Sequence, residues 1–191
     1  MVTNLAEENL ANLYKAINSL KNMPRQGWVI EGVPKTLAED VAQHSYEVAL
    51  TSLIISLNLK EKDYNIDLER VLAMALLHDL PEAFIGDIVK YMQKYIGEAK
   101  ESAEIGALEE FIDIDYIVNI HKEYIRGESL ESIIVKISDL VATAVQATRY
   151  YNMGYSGVKR ILENTKEHAL RLVRTLLPEA KEIVVKIFNS L

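Results

Sequence analysis

The chain has 191 residues, a formal net charge of −7, 49% hydrophobic and 26% charged residues, and no cysteine. This is ordinary globular composition, long enough for one substantial core, and it favours a single domain over residues 1–191. It excludes disulfides and thiolate chemistry and argues against a partner that is a nucleic-acid polymer; with no apolar run near the ~20 residues that span a bilayer and no signal-peptide pattern, it predicts a cytoplasmic protein without a membrane partner.

Residues 4–21 read as a first helix, with Asn4 as cap, Glu7 three positions on, and Leu5, Leu10, Leu13, Ile17 and Leu20 at helical spacing. Residues 22–35, NMPRQGWVIEGVPK, read as a loop, because two prolines and two glycines break any period. Arg25 brings a guanidinium fork that matches a phosphate, and Trp28 a flat wall for a sugar or base. Residues 36–59 read as a second helix, capped by Thr36 with Glu39 as partner. Val41, Val48, Leu53, Ile54 and Leu57 are its predicted core face, which His44 adjoins. Asp67 caps the third helix.

That helix leads into AMALLHDLPEAFIGDI, residues 73–88, the stretch around which the rest is organised. Leu72, Met74, Ala75, Leu76 and Leu77 make it apolar, so it delivers His78 and Asp79 from a buried helix end. Buried charges are costly unless paired or metal-bound. Pro81 removes a helical hydrogen bond and disfavours α geometry at Leu80, so the helix should stop or kink after Asp79, with Pro81 opening a new short helix. Glu82 and Asp87 then stand nearby for acid–base work. An HD pair alone also occurs as a satisfied pair at a helix end, so the remaining chain has to decide.

A fourth, irregular helix runs from Gly86 to Ile96 and is interrupted at Gly97; Lys90, Lys94 and Lys100 lie here or just beyond. Residues 98–112 form an acidic amphipathic helix, and residues 115–125 a short one ending at Gly127. His121 and His168 sit in polar contexts and read as surface. Ser129 caps the helix over residues 130–151, where Asp139 lies beside the stripe of Ile133, Ile134, Ile137, Leu140, Val141, Ala144 and Val145. A carboxylate there needs a cation or several donors. Residues 156–162, 165–177 and 179–189 read as packing helices, with Pro178 as separator. Almost no alternating strand pattern is present, so the fold should be all-α, a helical bundle of eight or nine helices.

His44, His78, Asp79 and Asp139 are thus polar residues that packing leaves unexplained. Together they make a mixed N/O set suited to one divalent cation with positions open to water. The order H…HD…D resembles the HD-domain metal-dependent phosphohydrolases. RQGW, AQHSYEV, ALLHDLPEAFIGDI, GES and KISDL with VQA resemble more narrowly the 5′-deoxynucleotidase branch, over about residues 25–147.

The resemblance implies a homodimeric HD-domain fold and hydrolysis of 5′-deoxynucleoside monophosphates, a small nucleotide substrate. It implies one divalent ion (Mn²⁺, Co²⁺, Mg²⁺ or Zn²⁺) on His44, His78, Asp79 and Asp139. Glu82 and Asp87 match the family's acidic catalytic pair, Arg25 its phosphate-binding arginine, and Trp28 its tryptophan near the sugar. The chain departs from the pattern at Gln43, where an acid usually precedes the histidine, and at Leu140, where a lysine often follows the aspartate. Two other readings stand beside this one: another HD nucleotide hydrolase, acting on an alarmone or a dNTP, and a helical binding module without chemistry. Ala83 directly after Glu82 weighs against the alarmone hydrolases, which carry two adjacent acids there.

Overall fold

Among the described residues, apolar stripes at helical spacing become ten α-helices: α1 (Val2–Leu20), α2 (Gln26–Ile30), α3 (Val41–Lys60), α4 (Leu68–Leu77), α5 (Glu82–Ile85), α6 (Gln93–Phe111), α7 (Asp115–Arg126), α8 (Leu130–Asn152), α9 (Lys159–Leu176) and α10 (Lys181–Asn189). The structure is a computed structural model that describes residues 2–190. The side chains of residues 1–6, 93 and 94 lie outside the described residues, and with them the expected Asn4 cap, Leu5 and Lys94. Two helices, α2 and α5, are only 5 and 4 residues long; the other eight form the bundle. Among the described residues the one extended pairing is an isolated bridge between Pro24 and Asp40.

Several helix ends follow their local chemistry. Asp67 accepts from Arg70 N and Ser129 from Ser132 N, capping α4 and α8. Gly127, at φ 68°, closes α7 in the left-handed region that glycine enters without cost. The expected interruption of α6 falls at Ile96, whose φ of −131° leaves the helix beside Gly97. Residues 156–176, expected as two helices, continue from a 3₁₀ turn, Ser156–Val158, into the single helix α9.

The start of α3 differs from expectation. Thr36 lies in a turn in which Pro34 O accepts from both Leu37 N and Ala38 N. The helix begins five residues later, where Asp40 and Gln43 form a reciprocal capping box. The chain then pairs in extended form around Asp40: Arg25 N donates to Glu39 O and Val41 N to Met23 O, each at 3.0 Å. This ladder sets Glu39 directly beside Arg25. The supposed loop itself contains α2, wound around Trp28.

The main core lies between α3, α4, α8, α9 and α10, and is built on Val48, Ile55, Leu59, Val71, Met74, Ile134, Ile137, Val141 and Val173. A second cluster, with Ala16, Leu20, Val41, Leu80, Leu108 and Ile112, fixes α1 and α6 against the α4–α5 corner. A third surrounds Trp28 and Tyr150. On α3 the buried face carries Val41, His44, Val48, Ser52, Ile55 and Leu59, whereas Ile54 and Leu57, expected in the core, are exposed together with Tyr46 and Leu50. On α1, Leu10 and Ile17 are likewise exposed, and Ala16 and Leu20 are buried instead.

Candidate metal centre and active site

Three helices deliver the polar misfits to one point. α3 presents His44, fully buried. α4 ends at Leu77, with His78 as its C-cap, and Pro81 starts α5 after a tight turn, so His78, Asp79 and Glu82 occupy one corner. α8 packs against both α3 and α4 and brings Asp139. Donor atoms of His44, His78 and Asp139 all lie within 4.8 Å of one another. Asp79 Oδ2 is 3.2 Å from His78 Nε2 and 4.0 Å from His44 Nε2, and His44 Nε2 is 3.0 Å from Asp139 Oδ1.

These residues fit a divalent cation. His78 Nε2 is buried and makes no hydrogen bond, because the Asp79 oxygen lies off its donor direction; Nδ1 is directed onto Ala75 O at 2.8 Å. An imidazole oriented by a backbone carbonyl with its other nitrogen unused matches the way metal-ligating histidines are held. The electrostatics agree. Burial raises the carboxyl of Asp79, but His78, His44 and Arg25 outweigh it and hold the group well below the usual range. Asp139 is lowered in the same way, against burial, by His44, His78 and Arg25. Burial works against a charge on His78, yet Asp79 and Asp139 hold its pKa up at about 8. Two ionised carboxylates facing two buried imidazoles make a nest for positive charge.

Arg25 adjoins this nest. Its Nη1 shares two N–H bonds among three neighbours, Glu39 Oε1 at 3.2 Å, His44 Nδ1 at 3.0 Å and Thr143 Oγ1 at 3.3 Å. Arginine only donates, so His44 Nδ1 accepts here, and the ring proton sits on Nε2 facing Asp139. A cation taken at Nε2 requires the opposite tautomer, and Glu39 Oε1, 3.8 Å from Nδ1, is the acceptor at hand.

Trp28 is placed differently from expectation. It is 2% exposed, and it donates through Nε1 to Glu39 Oε1 at 2.8 Å. Its ring meets Tyr150 edge-on with centroids 5.3 Å apart. It therefore offers no open face to a sugar; it holds Glu39, which holds Arg25. Tyr150 completes the arrangement, accepting from Glu39 N and donating to Leu37 O. Glu39 and Thr143 are the neighbours of the site that sequence patterning does not mark.

A cavity of about 670 Å³ opens from this corner, lined on one wall by His78, Asp79, Glu82 and Asp139. Glu82 is buried, and its carboxyl is pushed up to about 10 by burial first and by the charges of Asp79 and Asp87 next. Neither Arg25 nor Asp87, expected beside Glu82 as the second catalytic acid, is among the cavity-lining residues; Asp87 Oδ2 accepts from Gln26 N at 2.5 Å, on the Arg25 side. His121 and His168, read as surface from their polar neighbours, both line the cavity, and His121 is 1% exposed.

A family model described as HD domain matches residues 17–181. The chain belongs to the HD-domain family. This HD-domain chain is 30% identical over 149 residues to the zebrafish (Danio rerio) protein named 5′-deoxynucleotidase HDDC2, covering 75% of this chain and 70% of that one. Among solved structures, a conserved hypothetical protein from Pyrococcus furiosus superposes with a TM-score of 0.83 at 34% identity, over 94% of this chain and 99% of that one. The PH0347 protein of Pyrococcus horikoshii superposes with a TM-score of 0.80 at 30% identity, over 92% and 96%.

Proposed function

We propose that this HD-domain chain is a metal-dependent phosphomonoesterase that hydrolyses 5′-deoxynucleoside monophosphates to deoxynucleoside and inorganic phosphate. The observation that carries the reading is the convergence of His44, His78 and Asp139, the last two on the wall of a cavity with room for a nucleotide. The substrate class comes from the relatives named 5′-deoxynucleotidase, in the zebrafish and in others. We assign His44, His78, Asp79 and Asp139 as ligands of one divalent ion.

The bound cation would polarise a phosphoryl oxygen and lower the pKa of water. Arg25 grips the phosphate through Nη2 and Nε, since its three protein contacts all leave from Nη1. It thereby offsets the charge that builds on the phosphoryl oxygens as water attacks phosphorus and the bond to the 5′-oxygen breaks. Glu82 is the acid on the cavity wall, so proton transfer falls to it. Its high pKa in the metal-free protein suits a donor to the departing oxygen, and a neighbouring cation would bring that pKa down into the working range. Asp87 holds the start of α2, and with it the Arg25 segment, through Gln26 N.

Glu39 is the anchor of that arginine. Glu39→Gln keeps the size and an acceptor but loses the charge. It is expected to weaken competitive inhibition by inorganic phosphate about tenfold, the scale of one charge-assisted hydrogen bond; an unchanged inhibition constant would show that Arg25 needs no such anchor.

We read the whole chain as one domain and as one half of a homodimer. The single-domain reading is supported by Leu77, which packs against two of the three clusters. The dimer is supported by the exposed stripe of Tyr46, Leu50, Ile54 and Leu57 along α3, because an apolar helix face of that length is seldom left in water. Ile54→Lys is expected to convert a dimer of about 43 kDa, twice the 21.6 kDa chain, into monomers in light scattering; a wild type that runs as a monomer removes the proposal. The activity itself is tested by measuring phosphate release from dAMP, dGMP, dCMP and dTMP against AMP and dATP. Preference for the deoxymonophosphates supports the reading, and preference for dATP favours a triphosphate hydrolase.

A further inference from the structure

Beyond the metal-binding wall the cavity holds a second polar cluster that the hydrolysis leaves unused. Lys100 and Glu104, one turn apart on α6, form an ion pair at 2.6 Å. His121, on α7, has Nε2 3.5 Å from the other oxygen of Glu104. Neither nitrogen of this imidazole has a hydrogen-bond partner, although the residue is 1% exposed. A buried polar group left unpaired costs about 1–3 kcal/mol, and native structures seldom carry one without a reason. Tyr124 stands between the two clusters, its ring 5.4 Å from that of His78 and 6.4 Å from that of His121.

The chemistry of the cluster narrows what it can take. Glu104 is held below the usual carboxylate range by His121 and Lys100 in spite of its burial. The charged carboxylate, paired with Lys100 at 2.6 Å, offsets that lysine's attraction for a second phosphate. What remains is a set of directional groups: spare N–H bonds on Lys100, lone pairs on Glu104, and the two ring nitrogens of His121. Ile125, Ile133, Leu140 and Leu172 add apolar wall to the same cavity. A flat, neutral ring with an apolar face and alternating donors and acceptors on its edge matches this combination, and every nucleobase is such a ring.

We propose that Lys100, Glu104 and His121 form the subsite that takes the nucleobase by its polar edge while the phosphate of the same molecule meets the His78–Asp79 wall. The assignment of the ligand rests on the nucleotidase reading. Two probes test it: deoxynucleosides, which lack the phosphate, and deoxyribose 5-phosphate, which lacks the base. His121→Phe keeps the ring volume and removes both nitrogens. Deoxynucleoside affinity, read by calorimetry, is expected to fall about tenfold. The ratio of kcat/KM for deoxymonophosphates to that for deoxyribose 5-phosphate should fall by a similar factor, mainly through KM. Lys100→Met, at a less buried position, gives the same comparison should the phenylalanine variant fail to fold. Equal losses on both substrates, or deoxynucleoside affinity unchanged in these variants, would overturn the subsite, as would a wild type that binds no deoxynucleoside. A wild type that binds deoxynucleosides through these residues but releases no phosphate would instead strike down the hydrolase reading and leave the base subsite supported.

Discussion

Asp79→Ala is expected to abolish divalent-ion binding and to lower turnover by about three orders of magnitude, the equivalent of about 4 kcal/mol of barrier. Asp79 is a carboxylate that faces both imidazoles, at 3.2 Å from His78 and 4.0 Å from His44. Its removal takes one charge from the nest and leaves His78, whose raised pKa depends chiefly on Asp79, without its main partner. The fold should suffer too, and in a defined pH window. The folded-state pKa of Asp79 is depressed, so its contribution to stability is present above the unfolded value near 3.8 and is lost as the pH falls through the folded value. At neutral pH the alanine variant should therefore melt below wild type. Calorimetric titration with Mn²⁺, beside a phosphate-release assay and a thermal melt, checks all three expectations. A variant that still bound the ion at wild-type affinity would take Asp79 out of the ligand set.

Glu82→Gln should separate chemistry from stability. Loss of a positioned proton-transfer group costs about 10²–10⁴-fold in rate, and the amide cannot replace it. The metal-free protein should nevertheless become more stable at high pH. With a folded pKa of about 10 against an ordinary value of 4.5, Glu82 holds a proton in the folded state that the unfolded chain releases. The folded state thus binds more protons across that interval, so stability falls as the pH rises. Glutamine removes this slope. His78 contributes a slope of the same sign, since its raised pKa gives stability that is complete below 6.5 and lost through about 8; that part persists in the variant. In EDTA the fall in melting temperature from about pH 6 to about pH 9 should be clearly smaller for Glu82→Gln, where only the His78 part remains, than for wild type. Parallel slopes would mean that Glu82 is ionised in the folded protein and cannot act as a proton donor.

What was legible in the chain was local. An apolar helix that ends in HD and meets Pro81 two residues later has few uses for its last two side chains, and the structure brings His78, Asp79 and Glu82 to one corner. His44 and Asp139 were legible as polar residues beside core stripes, and Asp67 and Ser129 as caps. The remainder depended on tertiary partners. Glu39 is drawn inward by Trp28, Arg25 and the extended pairing of Met23–Arg25 with Glu39–Val41, none of which leaves a periodic signal. Trp28 in a Gly/Pro-broken segment looked like a free wall, but an indole that finds a buried carboxylate for its N–H is stable in a core. On α3, Tyr46, Leu50, Ile54 and Leu57 compete with Val41, Val48, Ile55 and Leu59, so hydrophobic spacing alone could not choose the buried face. His121 hid among Lys122 and Glu123, yet its spacing from Ile117, Ile120 and Tyr124 puts it on the apolar side of α7, a signal that was there to be read.

The most direct measurement is phosphate release from dAMP by protein stripped of metal and then titrated with Mn²⁺. No release after stripping, with activity returning in proportion to ion and saturating at one per chain, is the predicted result. Release that persists undiminished in chelator, or an ion that binds without restoring it, would contradict the assignment of His44, His78, Asp79 and Asp139 as the catalytic metal centre.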